Sequence, residues 1–256
     1  MAIQQMLLGG GVNYASVDSA DFDGTNDWMT KSSSITGIAD GKKGVLSFWF
    51  RIDGSDGSEL TVFGGINTAA TERISCFRTT GNKWQLECQN SSGTNILRLN
   101  SSLSYTASAT WHHFLASWDL STVGARYIYI DDAADLSVAT FTDDTIDYDM
   151  ANPLWLVGAI TSGGAFKFDG CLAELYFDAA NFLDLSVTSN RRNFISANLK
   201  PVFLGVDGSL PTATTPSVYQ HLGKGETVSN FATNRSGNGN FTITGTLTTG
   251  STSPSG

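Results

Sequence analysis

The sequence predicts an all-β fold, a two-sheet antiparallel jelly-roll sandwich with one short helix and a C-terminal extension. Helical periodicity is nearly absent, and short apolar or alternating runs recur between clusters of Gly, Asn, Asp and Ser. Glycine is abundant (27) and proline scarce (5). A chain of 256 residues with 41% hydrophobic, 11% aromatic and only 15% charged residues has the composition of one large globular β domain and is not a disordered polymer.

The candidate strands follow in order: DWMTK (27–31), VLSFWFRI (45–52), LTVFGGI (60–66), RISCFRT (73–79), KWQLECQ (83–89), ILRLN (96–100), WHHFLASWD (111–119), RYIYIDD (126–132), LWLVGAI (154–160) and CLAELYFD (171–178). In the second of these, Leu46, Phe48, Phe50 and Ile52 form the purer core face, alternating with Val45, Ser47, Trp49 and Arg51. A turn at TTGN would bring Ile74 and Cys76 onto the inward face with Trp84, Leu86 and Cys88. Three cysteines make no disulfide framework; buried free thiols are the expectation, with a Cys76–Cys88 bridge the alternative.

The single helical signal is LSVTSNRRNFI, where Val187, Asn190, Arg191, Phe194 and Ile195 recur at helical spacing before Pro201 forbids continuation. Residues 1–11 form an apolar arm on a glycine hinge, residues 12–205 the sandwich, and residues 206–256 a Ser/Thr/Gly-rich extension. That extension holds a last hairpin from Phe231 to Leu247 and has too few apolar residues to close a core. It is expected to pack on the sandwich or on an adjacent copy, in a homo-oligomer for which a trimer is the first expectation.

The formal net charge is −9 and Lys and Arg are scattered, so no basic stripe exists to neutralise phosphates and nucleic acid is not an expected partner. No apolar run approaches the ~20 residues of a membrane span. Met1 to Leu8 contains no Lys or Arg, which is unlike a secretory leader, and synthesis in the cytoplasm is expected. Ile3, Met6, Leu7 and Leu8 are too few for an independent helix and are expected to dock on a partner subunit.

Chemistry is sparsely signalled. The glutamates (Glu59, Glu72, Glu87, Glu174 and Glu226) are scattered, with no paired-carboxylate pattern for glycoside hydrolysis. In DDTIDYD, Asp143, Asp147 and Asp149 would share one face of an extended segment; a solvated acidic loop is the plain reading, and ligand contact by Asp147 and Asp149 the functional one. DFDGTND offers Asp21, Asp23, Asn26 and Asp27, which a tight turn explains better than an ion does. Adjacent His112 and His113 point to opposite faces of a strand and read as structural. No P-loop, GxSxG or dinucleotide fingerprint is present.

FDGTNDWM, LSFWFRI, WHHFLASWD, YIYIDD and FDGCLAELYF resemble, in that order, the landmarks of laminin-G-like, concanavalin-A-like jelly rolls, over roughly Gly11 to Leu204. The resemblance implies an optional calcium at a loop edge, here Asp53 and Asp56 of DGSDGSE, with no other cofactor required, and the missing carboxylate pattern makes a non-enzymatic module the expectation. It also implies carbohydrate binding, for which Trp28 and Trp118 are the favoured stacking platforms because each lies beside an acidic loop. The flanks, MAIQQMLLGGG before and LDLSVTSNRRNFI to the C-terminus after, are similar to those of jelly-roll proteins encoded among tailed-bacteriophage structural genes. That similarity implies a virion structural protein, a capsid decoration or tail or fibre component, held to other virion proteins by its arm and meeting host-surface glycans. A soluble or surface lectin-type module is the alternative, and a glycanase the third reading.

Overall fold

A computed structural model describes residues 15–67 and 72–256. The expected docking residues Ile3, Met6, Leu7 and Leu8 lie outside the described residues. The chain opens with β1 (Ala20–Asp23), β2 (Trp28–Lys31), β3 (Lys43–Ile52), β4 (Leu60–Ile66) and β5 (Glu72–Arg78). It continues with β6 (Trp84–Gln89), β7 (Asn95–Ser101), β8 (His112–Asp119), β9 (Arg126–Ile130), β10 (Ala133–Ala134) and β11 (Leu136–Phe141). After β12 (Leu154–Val157) and β13 (Asp169–Asp178) come the single-turn helix α1 (Thr188–Arg191) and β14 (Val218–Gln220). A 3-10 turn (Val228–Ala232), β15 (Thr242–Thr244) and β16 (Thr248–Thr249) complete the chain.

All pairings between these strands are antiparallel. The first sheet runs β10-β9-β8-β3-β13-β1-β16, with β14 also on β13, and the second runs β11-β7-β6-β5-β4-β12-β2-β15. Strand alternation sends Leu46, Phe48, Phe50 and Ile52 of β3 into the space between the sheets, where they meet Trp84, Leu86 and Cys88 of β6 and Phe114 of β8. Phe48 stacks on Phe114 at 4.8 Å between ring centroids, and Phe50 meets Trp84 edge-on at 4.7 Å. Cys76, Cys88 and Cys171 are all free and buried.

The outer face of the first sheet is apolar, and the chain covers it. Val45, Leu115 and Tyr176 pack under Leu185, Phe194, Leu204 and Tyr219, while Trp49 and Ala173 pack under Ile195, Ala15 and Val17. The helix expected along residues 186–195 shortens to α1 for a specific reason. Arg191 donates to Asp132 (2.6 Å) and to the Leu185 carbonyl (2.6 Å), and Arg192 to the same Asp132 (2.6 Å), so the chain is tied down within one turn. Asp131 and Asp132, expected as the end of β9, instead take positive φ (51° and 66°) and turn the chain into β10.

The expected C-terminal hairpin does not form as a self-paired unit. β15 joins the edge strand β2 (Ile243↔Met29) and β16 joins the edge strand β1 (Ala20↔Thr249), so the extension closes the same side of both sheets. Phe241 and Leu247, each beside one of these strands, are buried in the main core. The final residues continue along the chain start, with Ser19 Oγ donating to the Thr252 carbonyl (2.8 Å) and Ser255 Oγ to the Val17 carbonyl (2.8 Å).

Candidate functional site

With the outer face of the first sheet covered, the outer face of the second carries the accessible chemistry. On β5, β6 and β7 the alternation that buries Cys76, Trp84, Leu86 and Leu99 turns every other residue outward, and the register aligns these in rows. Phe77, Gln85 and Asn100 make one row, Ser75, Glu87 and Arg98 the next. A third holds Gln89 and Asn95, with Arg73 of β5 one step beyond the Ile74↔Cys88 pair. Neighbours within a row sit ~4.8 Å apart and rows ~7 Å apart, which follows from strand spacing and rise.

Glu87 binds the grid together, accepting from Gln85 Nε2 (2.5 Å) and pairing with the Arg98 guanidinium. Arg73 is ion-paired with Asp147 (Nε to carboxylate 2.9 Å, without hydrogen-bond geometry), and its two terminal nitrogens donate to the carbonyls of Asn90 (3.1 Å) and Ser91 (3.2 Å). Four buried oxygens on this face, Ser75 Oγ, Gln89 Oε1, Asn95 Oδ1 and Asn100 Oδ1, have no hydrogen-bond partner. At one end of the grid Phe77, Phe166, Ile160, Thr61 and Glu59 line a cavity of about 40 Å³. Phe166 is half exposed, and its position is fixed by its own carbonyl, which accepts the Thr61 amide (2.8 Å). Ile160 packs close over Gly64: a Cβ there would stand 2.3 Å from Ile160 Cδ1, so a larger residue would displace the end of that side chain.

A second cluster lies at the rim of the first sheet, where Asp21, Asp53 and Cys171 place their ligating atoms within 4.8 Å of one another. Arg51 already supplies the cation: its guanidinium donates to both oxygens of Asp53 (2.6 Å each) and approaches Cys171 Sγ at 3.3 Å. Burial, reinforced by Asp21, pushes the Cys171 thiol up to about 12, so it is protonated at neutral pH. One carboxylate held by a guanidinium and a second beside a neutral thiol do not fit calcium, which takes ~6–8 oxygen ligands.

The expected site residues separate. Asp53 is held by Arg51, whereas Asp56 accepts from Arg78 (2.8 Å) and from the Ala107 amide (3.0 Å), so the two serve different guanidiniums and make no shared cation cage. Trp118 is a core residue and no platform: it is fully buried, and its indole N–H donates to the Tyr148 hydroxyl (3.2 Å). Asp147 is likewise corrected, being buried against Arg73; burial, with Asp40 and Asp149 nearby, raises its pKa against the pull of that arginine. Asp149 is exposed, and its amide donates to Asp40 (2.8 Å). Trp28 is half-buried on the outer face of β2, with the Lys167 ammonium 5.6 Å from its ring centroid. His113 is buried against Ser47 Oγ (2.8 Å), and burial drives its pKa down to about 3, which keeps it neutral. His112 pairs with Asp131 (2.6 Å).

The grid residues Gln85, Glu87, Arg98 and Asn100 were not singled out from the sequence. Their signal is the polar half of the alternation in KWQLECQ and ILRLN, whose apolar half marks the core.

Residues 22–179 match the family described as the Concanavalin A-like lectin/glucanases superfamily. No curated protein matches the chain. Among solved structures, a Bacteroides ovatus protein named as a candidate carbohydrate binder aligns at a TM-score of 0.62 and 15% identity. The alignment covers 93% of this chain and 61% of that one, so this chain corresponds to only part of it. A variant of the Streptococcus pneumoniae NanB sialidase aligns at 0.50 and 15% identity, over 67% of this chain and 27% of that one. The CBM40 of the Ruminococcus gnavus IT-sialidase, solved with α2,6-sialyllactose, aligns at 0.47 and 10% identity, over 67% of this chain and 95% of that one. At these identities the likeness is one of fold.

Proposed function

The chain belongs to the concanavalin A-like lectin/glucanases superfamily, and from that premise we propose that it is a lectin-type carbohydrate-binding module. The observation that carries the reading is the part of the second sheet's outer face over β5–β7, where amide, carboxylate and guanidinium side chains stand in register beside two phenylalanines. Planar polar groups of these kinds hydrogen-bond pairs of sugar hydroxyls, and aromatic rings pack on the apolar faces of pyranoses. Binding is favoured over hydrolysis because Glu87 is the one carboxylate among the grid residues and is already tied to Arg98 and Gln85, whereas retaining hydrolysis needs a second carboxyl ~5–5.5 Å away.

The lectin-type module is preferred to the virion component. The extension that suggested a partner subunit places its strands on this chain's own sheet edges, and the Bacteroides ovatus fold neighbour is named for carbohydrate binding. Binding is proposed to be calcium-independent, since the residues at the rim cluster do not fit that ion. A glycan array probed with the full chain, with and without chelator, tests the proposal. Chelator-resistant binding that weakens on Phe166→Ala is expected; an array with no bound glycan overturns the reading.

A further inference from the structure

The polar face also specifies what kind of sugar it takes. Each guanidinium of the grid is charge-balanced: Arg73 by Asp147, with its two terminal nitrogens donating to backbone carbonyls, and Arg98 by Glu87. An anionic sugar seeking Arg98 would have to displace Glu87, whose side chain is only 14% exposed, and leave that carboxylate buried without its partner.

The hydrogen-bond inventory points the same way. Every row of the face holds an unpartnered side-chain oxygen, Asn100 Oδ1, Ser75 Oγ, and Gln89 Oε1 with Asn95 Oδ1, and the third row also holds the unpartnered donor Arg73 Nε. Ser75 is 1% exposed, and its hydroxyl has no partner. Amide oxygens need donors, which a carboxylate, sulfate or phosphate does not bring and a hydroxyl does. Gln89, Asn95 and Asn100 are half-buried, and the terminal torsion of such side chains is broad and roughly two-fold, so a half-turn exchanges the buried oxygen with the amide nitrogen and presents either to a ligand. The cavity beside Phe77 and Phe166, at about 40 Å³, has room for one small apolar or hydroxymethyl group.

Resting on the lectin-type reading above, we infer that the ligand is a neutral, hydroxyl-rich glycan of hexose or N-acetylhexosamine units, bound across β5–β7 by hydrogen bonds with the amide and hydroxyl side chains of that face, and that sialylated, uronic and sulfated glycans are excluded. The test is calorimetric titration of the full chain with neutral oligosaccharides and with sialylated, uronic and sulfated ones, each at low and high salt. Support is binding of a neutral oligosaccharide that changes little with ionic strength and falls about tenfold or more in Asn100→Ala and in Phe166→Ala. Circular dichroism and melting must match the unsubstituted protein; Phe166, half exposed, serves as the variant least able to disturb the fold. Binding of acidic glycans only, weakening with salt, overturns the inference and leaves the lectin-type reading standing. Neutral binding indifferent to both substitutions also overturns it, by placing the site elsewhere. Binding of no glycan at all removes the reading and the inference together.

Discussion

Phe241 and Leu247 anchor the C-terminal extension, one beside each edge-covering strand, at 5% and 6% exposure within the main core. Truncating a buried Phe or Leu to Ala costs roughly 2–5 kcal/mol, lost transfer free energy plus the cavity left behind. The double variant Phe241→Ala/Leu247→Ala should therefore lose ~4–10 kcal/mol if the two sites act independently, a large share of the ~5–15 kcal/mol that holds a native domain together. A second consequence is specific to this architecture. Releasing β15 and β16 strips the partners from β2 and β1, and unpaired strand edges associate with other chains. Urea unfolding followed by tryptophan fluorescence measures the first effect and light scattering against concentration the second. Val206→Ala, at a residue 77% exposed, is the control expected to change neither. A double variant with an unshifted midpoint that stays monodisperse would refute the reasoning, showing that the extension neither buys stability nor guards the edges.

Trp118→Ala should destabilise by ~3–5 kcal/mol and leave glycan affinity unaltered in the fraction that remains folded, measured by denaturant melts and titration at low temperature. Burial raises the thiols of Cys76 and Cys88 well above their ordinary value and that of Cys171 to about 12. A thiol reagent at pH 8 should accordingly find no reactive cysteine until denaturant is added, and prompt native-state labelling would contradict the assignment. His221 offers a pH test: burial lowers its pKa, but the hydrogen bond and charge of Glu174 outweigh burial and hold it above the ordinary value. A pKa raised on folding contributes stability that is fully present below the unfolded value of about 6.5 and is lost as pH rises through the folded one. Stability should fall across that upper window, and His221→Gln should flatten the dependence in melts at stepped pH.

Local pattern carried most of the sandwich. Period-2 alternation in VLSFWFRI identified Leu46, Phe48, Phe50 and Ile52 as the core face, which is where they pack. Alternation is silent about partners far away in sequence, and the pairings that escaped it are of that kind: Thr248 with Asp21, and Ile243 with Met29, join the two ends of the chain. β11, LSVATF, also went unread because Ser137 falls where the register shifts between Leu136 and Val138, so its alternation breaks at the second residue. For the site, residue type misled where position decided. Tryptophan and aspartate drew attention to Trp118 and Asp147, which the fold buries. Gln85, Glu87 and Asn100 looked like ordinary surface residues until register placed them side by side.

The outward residues of the two sheets explain why one face is left for binding. On the first sheet they include Val45, Trp49, Leu115, Ala173 and Tyr176, and an apolar face of that size must be covered. On the second, Ile66 and Leu156 are covered by Ile160 and Ala165, whereas over β5–β7 the outward residues are mostly polar, Gln85, Glu87, Gln89, Arg98 and Asn100, and offer little apolar area for a further segment to bury. The chain after β13 therefore divides its length between two tasks, covering the apolar face with residues such as Leu185, Phe194 and Leu204, and closing two sheet edges with β15 and β16. The same alternation that builds the core thus decides which face stays open. Substituting Gln85 and Gln89 with leucine would test this directly, by giving the second sheet an apolar outer face; self-association through that face is the expected outcome in sedimentation, and a double variant that remained as soluble and monodisperse as its parent would show that polarity is not what keeps it uncovered.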